Sequence, residues 1–193
     1  MAAATALAAT LAVFPGCATP HFDPADPGRI SGRLMVFWDG EDKFIYYPFP
    51  GDPLTYYLPA AIAARTNIAS IRPGAIYTDG GSIPRPLRSA VGFSPWGYGP
   101  AYIVHDWLFA AHHCLETGQI DKLAPTDRDE ADKIKRVDFG TSADLLASVI
   151  AALIKQRLVS ARQFAPEAIY AGVASFVARN LWDSHDPHSC ETV

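Results

Sequence analysis

The stretch from Ala101 to Cys114, reading Ala-Tyr-Ile-Val-His-Asp-Trp-Leu-Phe-Ala-Ala-His-His-Cys, constrains this chain more than any other. Ala101, Val104, Leu108, Ala111 and Leu115 recur at three- and four-residue spacing, the period of a helix with one apolar stripe. His105 and Asp106 stand in the middle of that apolar run. Burying such a pair without partners costs several kcal/mol, comparable with the whole stability of a domain. The fold must therefore bring hydrogen-bonding or charged groups to this helix. Successive helical residues project about 100° apart, so His105 and Asp106 do not partner one another. Each needs a group from another element.

With 193 residues, the expected organisation is one domain with a proper core over residues 29–182, preceded by a leader and linker over 1–28 and followed by a polar tail over 183–193. Hydrophobic residues at 49% and charged residues at 19% are the proportions of a folded globular chain. A net charge of -4 with no basic run leaves nothing to form the electrostatic footprint of a nucleic-acid binder, so nucleic acid is set aside as a partner.

The leader carries the signal for location. Met1 to Phe14 are apolar or small and uncharged, and Pro15-Gly16-Cys17 follow. Such a segment is too short to span a bilayer and matches the apolar core of a secretory signal. Gly16-Cys17 resembles the cleavage box of bacterial lipoproteins, which implies lipidation at Cys17, export, and anchoring to the bacterial envelope. Phe14 and Pro15 depart from that box, and no Lys or Arg precedes the apolar core. Read as an ordinary Ala-rich terminus, the leader implies a cytoplasmic chain. Cys114 and Cys190 then remain as an even pair, either bonded in an oxidising compartment or free, with Cys114 buried as a small hydrophobe.

The rest reads as strands followed by helices, an α+β pattern with an N-terminal antiparallel sheet packed against about four α-helices. Ile30 to Trp38 and Lys43 to Tyr47 form a hairpin around the turn chemistry of Asp39-Gly40-Glu41-Asp42, with a third strand at Leu54 to Leu58. Ala60 to Thr66 is one helical turn or a loop. Ile68 to Tyr77 is strand-like but interrupted by Arg72-Pro73-Gly74. Thr78 to Pro86, with two glycines and two prolines, is a shaped loop that presents polar groups. After the central helix, Thr126 is the expected N-cap of a helix to about Asp138, and Ser142 opens an apolar helix to about Leu158. Pro166 opens a last helix to about Asn180, with Leu181-Trp182 packing back.

Three ordered blocks resemble the signatures of domain-of-unknown-function family 1353, found in bacteria and tailed phages. They are Thr78-Asp79-Gly80-Gly81-Ser82-Ile83-Pro84-Arg85, then Ala101 to Phe109 with its His105-Asp106-Trp107-Leu108, then Glu130-Ala131-Asp132. The resemblance spans about Ile30 to Trp182. Phe109 stands where the family commonly has Tyr, and the Glu116 to Pro125 loop and the leader depart from its pattern. The family has no settled activity, so the resemblance names relatives and implies no reaction.

The residue types themselves fit hydrolysis. His105 would be a general base toward water, with its second ring nitrogen fixed by Asp132, because a base near neutral pH needs a held tautomer. Asp79 and Asp106 are the carboxylates suited to a hard divalent cation, calcium or magnesium. Backbone N-H groups of Gly80, Gly81 and Ser82 would receive developing negative charge, with Arg85 as a further anion contact. His112, two turns from His105, is a further possible ligand, although the one-turn spacing of zinc helices is absent. The expected substrate is a small molecule, a lipid or envelope material, with the membrane reached through a lipid on Cys17. The same residue types would equally serve a non-catalytic envelope or phage-encoded protein, in which the cluster is a polar network that holds the fold.

Overall fold

The structure is a computed structural model and describes residues 23–40, 43–79, 97–159, 176–185, 190 and 193. Its strands form two three-stranded antiparallel sheets rather than the one expected. The first, in the order β1-β4-β5, comprises β1 (Arg29–Ser31), β4 (Thr55–Tyr57) and β5 (Ser70–Ile71). The second, in the order β2-β3-β6, comprises β2 (Val36–Gly40), β3 (Lys43–Tyr46) and β6 (Ile76–Thr78).

The split has two causes. The single strand expected over Ile30 to Trp38 breaks at Gly32, whose φ of +89° suits glycine. A Cβ there would lie 2.1 Å from the Pro53 carbonyl oxygen, so the chain passes its neighbour at a distance only glycine permits. The interruption at Arg72-Pro73-Gly74 does the same for the second half, sending β5 to one sheet and β6 to the other. The β2–β3 hairpin forms as expected, pairing Phe37 with Ile45 and Trp38 with Phe44.

The helices are α1 (Ala60–Thr66), α2 (Gly99–Glu116), α3 (Pro125–Ile134), α4 (Phe139–Lys155) and α5 (Phe176–Trp182). The segment Ala60–Thr66 is thus a helix, closed by Asn67 in the left-handed conformation. The cap of α3 differs from expectation. Ala124 precedes it and Pro125 takes the first helical turn, while the Thr126 hydroxyl bonds to Asp127. Asp138 does not end α3 but opens α4, its carboxylate accepting from the Thr141 N-H at 2.6 Å. Gly140 accordingly lies inside α4. The start of the last helix expected at Pro166, the Gly80 to Pro95 segment and the leader with Cys17 lie outside the described residues.

Helix α4 is buried along Thr141 to Ile150, and α2 packs against it, against α3 and against β6. Ala101, Val104, Leu108 and Ala111 of the expected stripe are fully buried, joined by Ile103 and Trp107, so α2 is the central rod of the core. The buried apolar side chains of both sheets and of α1 to α4, with Trp182 of α5, form one cluster. No single helix among the described residues is long and apolar enough to cross a membrane.

Candidate functional site

Helix α2 presents His105 and Asp106 in different directions, as the helical period requires. Asp106 faces the sheet. Its Oδ2 accepts a 2.6 Å hydrogen bond from the Thr78 hydroxyl at the end of β6, and Asp79 follows at once in the chain. Burial pushes the Asp106 carboxyl up to about 7; the Thr78 hydroxyl opposes that rise and the nearby Asp79 charge adds to it. Asp79 thus lies close enough for its charge to bear on Asp106, whose hydrogen-bond partner is Thr78.

His105 faces along the other side of the helix. Its ring packs on Phe109 one turn later, with centroids 4.8 Å apart. Burial holds its imidazole down to about 4, so it is neutral near neutral pH. Nε2 is buried and has no hydrogen-bond partner among the described residues. Tyr46, Trp107 and Ser148 also carry a buried polar atom in that condition, at 0% exposure inside the core, as does the partly buried Gln119 after the end of α2. His105 and Gln119 retain part of their surface to solvent, and of the two only His105 can exchange a proton near neutral pH.

Asp132 does not orient the imidazole. It sits on the outer face of α3, 58% exposed, and its carboxylate pairs with Lys135 at 2.5 Å. The helical period explains the difference: Ala131 and Ile134 turn inward and carry Asp132 outward. Arg128 is equally remote from the Asp106 carboxylate, pairing with Asp121 and donating to the Leu123 carbonyl. Gly80, Gly81, Ser82 and Arg85 lie outside the described residues.

The acids of α3 that reach inward are Asp127 and Glu130. Asp127 accepts from the Ala75 N-H at 3.1 Å. Glu130, 7% exposed, accepts from the Arg72 backbone and guanidinium and from Lys133. Together they grip the connection from β5 to β6 and so fix the strand that carries Thr78 and Asp79. The sequence signal is present, since Asp127, Glu130 and Ile134 lie at helical spacing, whereas the third block singles out Asp132.

The other end of α2 is covered by α5. Trp182 stacks on His112, with centroids 4.0 Å apart and planes 14° apart, and meets Phe109 edge-on at 4.9 Å. The His113 Nε2 donates to the Leu181 carbonyl at 2.8 Å. One residue on, Cys114 is bonded to Cys190, which resolves the cysteine alternatives in favour of the disulfide. His112 is thus engaged with an indole ring; burial is the main influence on its imidazole and lowers it.

The donor set tests the cation reading. Among the described residues no three His, Cys, Asp or Glu side chains converge. Asp79 and Asp106 supply two carboxylates, one of them buried, bonded to Thr78 and held toward its neutral form. Calcium takes six to eight oxygens and magnesium six. The described residues do not fit such an ion.

No curated protein and no solved structure matches the chain. One family does, under the description Protein of unknown function (DUF1353), over residues 60–142. That span runs from the start of α1 to the first turn of α4 and contains Thr78, Asp79, His105, Asp106 and the gripping acids of α3. The segment that builds the polar centre is therefore similar to the DUF1353 family, and it contains the three sequence blocks that carry the resemblance.

Proposed function

We propose that the chain is a hydrolase in which His105 takes a proton from water, acting on lipid or other envelope material. The observation that carries this reading is the buried, unpartnered Nε2 of a neutral imidazole on a residue that is not wholly enclosed by the core. A histidine kept only to hold a fold has its ring nitrogens bonded, because an orphaned polar atom costs about 1–3 kcal/mol. A general base needs the opposite: a neutral ring with one nitrogen left open to the reacting group. Asp106, bonded to Thr78 beside Asp79, fixes the helix against β6 and supplies a second proton-carrying group.

The disulfide between Cys114 and Cys190 supports an exported protein, since such bonds persist in oxidising compartments. With the apolar leader and Cys17, it favours lipid anchoring at the envelope over a cytoplasmic location. The single buried cluster supports one domain over residues 29–182.

A panel of ester, phosphoester and glycoside substrates, run on the purified full chain with and without chelator, tests the reading. Turnover that His105→Gln abolishes without lowering the melting temperature supports it. Turnover unaffected by that substitution, or none on any substrate, removes it. Loss of turnover on chelation would restore the cation at Asp79 and Asp106. The second reading, a non-catalytic envelope or phage-encoded protein, is favoured by the Thr78–Asp106 bond, which joins sheet to helix as a fold-holding contact would. It expects a large stability loss in Asp106→Ala and no turnover.

A further inference from the structure

Three features on the α2 surface line up in a way the proposed hydrolysis does not use. His105, Phe109 and His112 lie one turn apart along a single stripe. Trp182 of α5 covers the last two, and Phe109 in turn lies against His105. Beside this stack, at the C-terminal end of α2, the buried Cys114–Cys190 bond ties the segment after α5 to the same helix. The described contacts of α5 with α2 are these rings and the bond from His113 to the Leu181 carbonyl. Seven residues separate Trp182 from Cys190, so the covalent tie and the indole cover act on one short segment.

We propose that α5 is a disulfide-latched cover over the His105 stripe, and that opening the Cys114–Cys190 bond loosens it and admits reagents to the His105 ring. The inference rests on the reading of His105 as the reacting group, but concerns access and not turnover. The chemistry is thiol–disulfide exchange with a dithiol reductant. One thiolate attacks a sulfur of the bond and forms a mixed disulfide; the second thiol displaces it. Two protein thiols and one oxidised dithiol result. Without the tie, α5 keeps only one short helix's contacts, with α2 and, through Trp182 and Arg179, with Phe139 of α4, a cover drawn from the low-stability end of the fold.

Diethyl pyrocarbonate, which acylates neutral imidazoles, reads the cover directly on the full chain, with peptide mass spectrometry resolving each histidine. Exposed His185 is the internal reference. In the oxidised protein His105 should react far more slowly than His185. After dithiothreitol, with both thiols shown free by alkylation, its relative rate should rise about tenfold, and that of His112 with it, while a cooperative thermal transition persists. Cys190→Ser should reproduce the rise without reductant. Trp182→Ala, with the disulfide intact, should give part of it. An unchanged His105 rate in the reduced protein and in both variants overturns the proposal. So does loss of the cooperative transition with every histidine reacting like His185, because the bond would then hold the whole fold and not a cover. A protein that fails the substrate panel yet shows the labelling change loses the hydrolase reading and keeps the latch.

Discussion

At the scale of single residues, His105 and Asp106 make opposite demands on pH. Burial lowers the His105 imidazole from 6.5 to about 4, so folding disfavours its charged form. Its stabilising share is complete above pH 6.5 and is lost as pH falls toward 4. Burial raises the Asp106 carboxyl from 3.8 to about 7, so folding favours its neutral form. Its share is complete below pH 3.8 and is lost as pH rises toward 7. Between about 4 and 6.5 the two slopes cancel, and either substitution exposes the other. Asp106→Asn should lose stability on acidification through that window by about 1 kcal/mol per pH unit more than the parent. His105→Asn should gain stability over the same interval. Urea denaturation at four pH values checks both, and parallel curves for all three proteins would show that neither group is buried in its neutral form.

Gly74 carries a second residue-scale prediction. A Cβ at this position would lie 2.5 Å from the Asp127 carboxylate oxygen that accepts the Ala75 N-H. The carboxylate cannot retreat without releasing that bond. Gly74→Ala should cost about 1–3 kcal/mol in urea denaturation, and pairing it with Asp127→Ala should cost less than the sum of the two. Strict additivity would mean that the two positions do not meet.

At the scale of elements, short strands are held by side chains as much as by one another. Strand β1 is an edge of its sheet, and the Gln156 amide just after α4 takes the place of a neighbouring strand. Its Oε1 accepts from the Ile30 N-H at 2.8 Å and its Nε2 donates to the Ile30 carbonyl at 2.9 Å. Gln156→Ala leaves both backbone groups of a residue at 3% exposure without that partner. It should cost about 1–3 kcal/mol and speed amide exchange at Ile30 ahead of Tyr56 opposite it. Equal protection at Ile30 in both proteins would show that the amide is ornamental.

Elements also show where sequence reading succeeds and where it stops. Helix α2, the run in α4 and the β2–β3 hairpin were legible because period and turn chemistry are local. The division into two sheets was not, because it depends on Gly32 passing the Pro53 carbonyl, a contact between residues distant in sequence. The same holds at the polar centre. The first two blocks named Asp79 and Asp106, but the hydroxyl that bonds Asp106 is that of Thr78, the residue before Asp79. Asp132 was misplaced because the motif names residue types without their direction, and helical phase turns Asp127 and Glu130 inward in its stead. Of the Leu181-Trp182 pair expected to pack back, Trp182 does and Leu181 stays exposed; that Trp182 meets Phe109 had no signal, since α5 returns to α2 from far along the chain.

At the scale of the whole molecule, one covalent tie decides how the C-terminal segment contributes. The Cys114–Cys190 bond closes a loop over a sequence separation of 76, long enough that chain entropy alone gives it roughly 4 kcal/mol by restricting the unfolded ensemble. Cys114 is fully buried in the core, so serine there would also place a hydroxyl among apolar neighbours. Alanine at both positions isolates the loop term better. The double Cys114→Ala, Cys190→Ala protein should melt about 10 °C lower than the parent, a chain of this size losing roughly 2–4 °C per kcal/mol. If the tie also latches a cover, the loss divides unevenly: the helices α2 and α4 should keep their slowest-exchanging amides, while those of α5 exchange first. A melting temperature unchanged by the double substitution would mean that the unfolded chain is not measurably restrained by the bond. A uniform loss of protection would place α5 in the same cooperative unit as α2 and α4, and the disulfide would then be a clamp on the fold.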